Sequence, residues 1–297
     1  MDEIAAGLYR LGSSRFPAFL VIGGHRIVLV DAGPALMGPV YLKEIRQLPG
    51  NSRGPDFLFL THCHFDHVGG APFLQRHFPE IRLGGSERFA RRLSQKLTCK
   101  SIADLNRALI GKNNRDPVFI PGDFDYGALA VERRLKDGER VDLGAGASLE
   151  VIATPGHTSD SLSFFLPHLE TILAGDAIGI IPGDDFRVAP QFLSSYEDYL
   201  ASIERIRRKK PKIIVPGHHA VVRAAECERF FNAAVADCRA FREMIEHYLK
   251  AAGMNEGAVV RRIQAAEYHT LRKGKQPEAA FLLNLTAQVR LIASSMK

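Results

Sequence analysis

No stretch of this sequence approaches the roughly 20 uninterrupted apolar residues that a membrane-crossing helix needs, although 46% of its 297 residues are hydrophobic. The chain begins MDEIAAGLYRLG, acidic where a secretory leader would be basic and without its apolar block, so a cytoplasmic location is the expectation. Four cysteines, Cys63, Cys99, Cys227 and Cys238, include no CxxC pair. That excludes a zinc ribbon and speaks against a disulfide framework. Low-complexity segments and short-period repeats are also missing, which sets solenoids aside. Charge is scarce in another sense: a net +6 suits an anionic substrate but is too diffuse to mark a nucleic-acid surface. The densest basic run, RIRRKKPK at 205–212, closes a predicted helix, where cations are favoured in any case.

What is present is a pattern of short strands relieved by helices. AFLVIG and RIVLVDAG read as a hairpin across Gly23-Gly24. A helix is expected near 40–48, then a strand at 57–60. APFLQRHF suits another helix, and SERFARRLSQ and SIADLNRALIGK form a helical insertion at about 86–112, with Ser86 and Ser101 as N-caps. Strands return between 129 and 175, followed by the helix YEDYLASIERIRR and the strand KIIVPGH. Beyond residue 220 the sequence is mostly helical. The expected architecture is an α/β, αββα sandwich of two mixed sheets with outer helices, residues 1–220, plus a helical C-terminal segment, residues 221–297, that caps a pocket.

The densest chemistry sits in FLFLTHCHFDHVGG, where an apolar strand runs into His62, His64, Asp66 and His67. Three later segments repeat one feature, a metal-binding side chain placed where a hydrophobic strand stops: His157 in IATPGHTSDS, Asp176 in TILAGDAIG and His218 in KIIVPGH. Five histidines and two aspartates are too many for one tetrahedral ion and suit zinc, iron or manganese. The set divides between two ions, with His62, His64 and His157 on one, Asp66, His67 and His218 on the other, and Asp176 bridging. Such a pair produces hydroxide at neutral pH. Cys63 is expected to point away from its neighbours into packing. His25, His77, His168, His247 and His269 stand alone and read as surface or hydrogen-bonded residues, and His219 is left out of the site.

The ordered set THCHFDH, TPGHT, AGDA and VPGH resembles the metallo-β-lactamase superfamily across about residues 8–220. The resemblance implies the αββα sandwich with metals at one edge. Asp176 at the bridging position and the Asp66-His67 pair look like the glyoxalase II-type hydrolases, and they speak against lactam hydrolysis. The helical insertion, SSYEDYLASIERI and the long helical C-terminus are similar to the 2-aminobenzoylacetyl-CoA thioesterases of quinolone signalling. Ile180 stands where those enzymes present an acidic pocket residue, which implies a more apolar acyl group.

The expected function is a dinuclear metal-dependent thioesterase that cleaves an acyl-CoA-type thioester by attack of a metal-bridging hydroxide. Asp66 is the candidate catalytic residue, both ligand and orienting base. Ile180, Phe281 and Asn284 are the candidate substrate contacts. Alternatives are a glyoxalase II-type glutathione thioesterase, a lactonase and, from a different class, a metal-containing regulatory protein that binds a signal molecule. The expected partner is a small-molecule thioester; a membrane is not expected, nucleic acid is disfavoured for want of a basic, glycine-rich arm, and the C-terminal helices could form a homodimer face.

Overall fold

The structure is a computed structural model and describes residues 1–48, 54–113, 119–181, 186–268 and 278–296. Among them the strands form two mixed sheets flanked by helices. The first sheet has seven strands in sequential order: β1 (Asp2–Ala5), β2 (Leu8–Gly12), β3 (Pro17–Ile22), β4 (Ile27–Val30), β5 (Phe57–Phe59), β6 (Arg82–Gly85) and β7 (Val131–Arg134). Pairing is antiparallel from β1 to β4 and parallel from β4 to β7. The expected hairpin is β3–β4, closed by the Gly23 N–H donating to Arg26 O at 2.9 Å. The second sheet takes six strands in the order β13-β12-β11-β10-β9-β8. Their spans are β8 (Arg140–Gly144), β9 (Ala147–Ala153), β10 (Leu162–Leu166), β11 (Thr171–Gly175), β12 (Ile213–Pro216) and β13 (Val222–Arg223).

The chain divides into two compact units, Met1–Ala153 with Asp160–Ile172, and Thr154–Ser159 with Leu173–Lys297. In the first unit, alternate residues of the first sheet point to opposite cores. Leu20, Leu29, Leu58 and Leu83 pack with Tyr41 and Ile45 of α1 (Gly38–Arg46) and with Phe73 beyond the short α2 (Phe65–Val68), in α3 (Ala71–His77). On the other face the ring of Phe59 lies 5.9 Å from that of Phe164 in β10. Strands buried on both faces read as continuous apolar runs rather than alternating ones, which is why FLFL leads into the histidines.

The insertion forms α4 (Glu87–Leu93) and α5 (Lys96–Asn113). Ser86 caps α4 as expected, its Oγ accepting the Phe89 N–H at 3.0 Å. Ser101 does not cap a helix. It lies exposed inside α5, where the Cys99 N–H already donates to Gln95 O at 3.1 Å. No glycine or proline separates Lys96 from Ser101, so nothing stops the helix from starting a turn earlier.

In the second unit, Ser195 caps α6 (Tyr196–Arg207) by accepting the Asp198 N–H at 3.1 Å. Beyond β13 come α7 (Glu226–Ala251), α8 (Glu256–Ile263) and α9 (Glu278–Ser295), the helical C-terminal segment. They bury Phe230, Phe231, Leu249, Leu285, Val289 and Ile292. Among the described residues no helix is long and apolar enough to cross a membrane.

Candidate metal centre

In the first unit the chain leaves β5 and turns at once into α2. His64 precedes that helix in extended backbone (φ −96°, ψ 152°), and Asp66 falls in its first turn. The group that organises this turn is one the motif did not single out. Asp31, just past β4, is 2% exposed. Its φ of 61° lies in the left-handed region that Asp and Asn enter more readily than other side chains. Asp31 Oδ1 accepts the Thr61 N–H at 2.8 Å, and both its oxygens lie within 3.0 Å of Thr61 Oγ1. Asp31 Oδ2 also lies 2.9 Å from His67 Nδ1. His62 Nδ1 is 3.0 Å from Thr61 Oγ1.

Those distances fix protons. A carboxylate only accepts, so His67 carries its proton on Nδ1. The Thr61 hydroxyl has committed its proton to Asp31, so it accepts from His62 Nδ1. In a neutral ring that leaves Nε2 of each imidazole as the atom with a lone pair. His62 Nε2 faces His64 Nδ1 at 3.0 Å, and the rings of His62 and His67 lie 4.1 Å apart. Cys63 is 4% exposed and belongs to the helix-side core, as expected. Its N–H donates to Asp160 Oδ2 at 2.9 Å. Burial, with the Asp160 charge adding to it, pushes its thiol up to about 12, so it stays protonated near neutral pH.

In the second unit His157, Asp176 and His218 are held by different anchors. His157 is 1% exposed and follows Gly156, whose φ of 125° and closeness to the Tyr199 backbone (2.3 Å from an added Cβ) admit only glycine. His157 Nδ1 lies 2.5 Å from Gln191 O. A carbonyl only accepts, so this ring carries a proton on Nδ1, and in its neutral form the lone pair is on Nε2. That nitrogen is 3.4 Å from Asp176 Oδ2, and His218 Nε2 is 3.7 Å from Asp176 Oδ1. Asp176 follows β11, His218 follows β12, and the Gly217 N–H donates to Gly175 O at 2.7 Å, pinning the two strand ends together.

Behind His157, the segment 187–195 is held on several sides. The Gln191 N–H donates to Tyr199 Oη at 3.2 Å, and Gln288 Nε2 of α9 donates to Pro190 O at 2.9 Å. The Leu193 and Ser194 N–H groups both donate to Gly156 O at 3.0 Å. Of the candidate substrate contacts, Ile180 is 3% exposed and forms an isolated bridge with Ala189. Phe281 and Asn284 are half-buried on α9, with the Phe281 ring 4.8 Å from that of Tyr268. Among the lone histidines, the His77 Nδ1–H donates to Phe73 O at 2.9 Å, and His269 lies outside the described residues.

Among the described residues seven side chains are candidate metal ligands: His62, His64, Asp66 and His67 in the first unit, and His157, Asp176 and His218 in the second. The donor set fits a metal ion: neutral imidazoles and carboxylates, with the second nitrogen of three rings tied to an oxygen, as in metal-ligating histidines generally. Sequence reasoning missed Asp31, Thr61, Gln191 and Tyr199. Asp31 carried a readable sign, an acid placed where the apolar run RIVLV stops, the same sign that marked Asp176. Gln191 acts through its main chain and left none.

The sequence matches the family model for the Metallo-beta-lactamase superfamily over residues 17–218. Among curated proteins it is similar to an atrochrysone carboxyl ACP thioesterase of Aspergillus fumigatus, 27% identical over 168 residues that cover 56% of this chain and 38% of that one. It is also similar to a hydroxyacylglutathione hydrolase of Brucella anthropi, 28% identical over 123 residues that cover 41% and 33% of the two chains. The matched stretch thus spans well under two thirds of either relative. Among solved structures, a metallo-beta-lactamase family protein of Thermus thermophilus superposes with a TM-score of 0.67 over 99% of this chain and 95% of that one, at 19% identity. That last likeness is one of fold.

Proposed function

The chain belongs to the metallo-beta-lactamase superfamily, and on that footing we propose that it is a cytoplasmic thioesterase that hydrolyses an acyl-CoA-type thioester with two bound divalent ions, zinc or iron, with manganese also compatible. The observation that carries the reading is the fixed tautomer of His62, His67 and His157. Each has its Nδ1 proton committed to an oxygen (of Thr61, Asp31 and Gln191 respectively), which leaves Nε2 as the ligand atom of the neutral ring. In this reading His62, His64 and His157 hold one ion and Asp66, His67 and His218 the other. Asp176 serves both, since its two oxygens face different histidines.

Two such ions, when bound, would acidify a water and polarise the thioester carbonyl. The chain's own residues do the rest. Asp66, half-buried at the start of α2, orients the attacking water and takes up its proton. Asp31 and Gln191 O keep the ligand rings from turning. The leaving thiolate is far less basic than an alkoxide and departs without a strong acid beside it. Residues 221–297 cover the acyl group, with Ile180, Phe281 and Asn284 as contacts.

A glutathione thioester is the second reading, supported by the name of the Brucella relative. The test is turnover on a panel of acyl-CoAs, acyl-glutathiones, a lactone and a phosphodiester, with metal-depleted protein as control. Acyl-CoA hydrolysis that disappears with the metal is the expected result. Equal or faster turnover of the lactone or the phosphodiester would sink the thioesterase reading.

A further inference from the structure

The helical insertion builds a cavity that the metal chemistry does not use. In the first unit, α5 and the 3-10 turns Pro121–Phe124 and Tyr126–Ala128 frame a space of about 350 Å³. Its floor is Cys99, Ala103, Phe124 and Tyr126, and its rim carries Lys96, Lys100 and Arg107. Steps of four, three and four along 96, 100, 103 and 107 put these α5 residues on one helix face. The Arg107 guanidinium sits 5.1 Å from the Phe124 ring centroid. Lys100 Nζ lies 2.5 Å and Arg107 Nη1 3.9 Å from Asp104, solvent-exposed pairs that an incoming anion displaces at little cost. Lys96 makes no ion pair among the described residues.

The remaining polar groups of the lining are already engaged. The Asp125 carboxylate accepts the Ala128 N–H at 3.2 Å, and the Cys99 thiol donates to Leu93 O at 2.9 Å. Burial raises the Cys99 pKa, so that side chain is a wall and not a nucleophile. Three cations around an aromatic floor recognise phosphates beside a flat ring. The volume lies at the low end of the roughly 300–1,000 Å³ of ligand pockets, enough for a nucleotide head alone.

The same floor is tied to the helix that bears Asp66 and His67. Tyr126 Oη donates to Gly69 O at 3.0 Å, two residues past His67. Asn106 of α5 donates through Nδ2 to Phe65 O at 3.3 Å and accepts the Ala35 N–H on Oδ1 at 2.7 Å.

We propose that this cavity holds the adenosine 3′,5′-bisphosphate end of a coenzyme A thioester, which makes coenzyme A the substrate's thiol in preference to glutathione or a carrier protein. The step rests on the thioesterase reading, but its test does not depend on turnover. Adenosine 3′,5′-bisphosphate is titrated calorimetrically into the metal-loaded full chain and into Lys100→Gln, Arg107→Gln and the double variant, with circular dichroism confirming the fold. Binding is expected to weaken about fivefold in each single variant and further in the double, and to fall as salt rises. In parallel, KM is measured for one acyl group on coenzyme A and on N-acetylcysteamine, which lacks the nucleotide. The wild type should prefer the coenzyme A ester, and the double variant should narrow that preference.

Nucleotide binding that is absent, or equal in wild type and folded variants, overturns the proposal. So does an unchanged preference between the two esters, or, with the same acyl group on a carrier protein as a third substrate, a preference for that carrier. If no thioester is hydrolysed yet the bisphosphate binds and the variants lose it, the thioesterase reading falls and the nucleotide site stands.

Discussion

His67 and His157 are held alike by groups of different kinds: the Asp31 side chain accepts a hydrogen bond from Nδ1 of the first, and the Gln191 main-chain carbonyl accepts one from Nδ1 of the second. Around His67 the candidate ligands are crowded into residues 62–67, and their anchor is a single buried carboxylate on the neighbouring strand end. Around His157 they come from three strand ends. The anchor of His157 is a carbonyl that no substitution removes, placed by Tyr199, Gly156 and, through Pro190, Gln288. The first arrangement concentrates its vulnerability in one side chain. The second spreads it over a segment and the helices behind it.

The largest expected effect erases the contrast. Asp176→Ala should strip metal from both halves, whereas His157→Ala should mainly empty one, as read by elemental analysis after loading with zinc, iron or manganese. Wild-type protein that retains no more than one ion per chain would remove the two-ion basis for the comparison. Next, Asp66→Asn should cut turnover at least about a hundredfold, the loss expected for a positioned base and ligand, with the far-ultraviolet dichroism unchanged. A near wild-type rate would take Asp66 out of the chemistry and leave the first half with ligands only.

The anchors themselves sharpen the comparison further. Asp31→Asn should weaken metal affinity by about 10–100-fold, the usual cost of losing the partner that orients a ligating histidine. Tyr199→Phe removes only the acceptor for the Gln191 N–H, so it should lower stability by about 1–3 kcal/mol and metal affinity by only a few fold. Denaturant melts and competition with a chelator measure the two quantities. Equal loss of metal in both variants would mean that the carbonyl anchor is as fragile as the carboxylate. Smallest of all, Phe281→Ala should reorder the preferred acyl chain lengths without altering metal content. A change confined to stability or to dimerisation would instead make α9 a cover for the fold.

How far each half could be read from sequence follows the same division. His62, His64, Asp66 and His67 were legible because a tight polar cluster after an apolar run is rare on structural grounds alone. Asp176 and His218 were legible because each stands where a buried strand ends beside a glycine. Gln191 was not, since a main-chain carbonyl has no letter of its own. Ser86 and Ser101 looked equivalent as caps; only the preceding strand end made Ser86 the real one, while the turn before Ser101 was already helical. The strands β1 and β2 escaped notice because β1 is mostly exposed and carries little apolar pattern.

Gly156 also bears on the order of events during folding. Its carbonyl waits for Leu193 and Ser194, and Ser202 Oγ must reach Pro155 O (2.7 Å in the finished structure), a separation of 47 residues. Such closures come late, because the chain entropy of a long loop is lost before any contact repays it. His157 therefore reaches its final orientation only once α6 has docked. In a refolding experiment the uptake of metal by this half would mark the end of the reaction, a built-in clock rather than a seed.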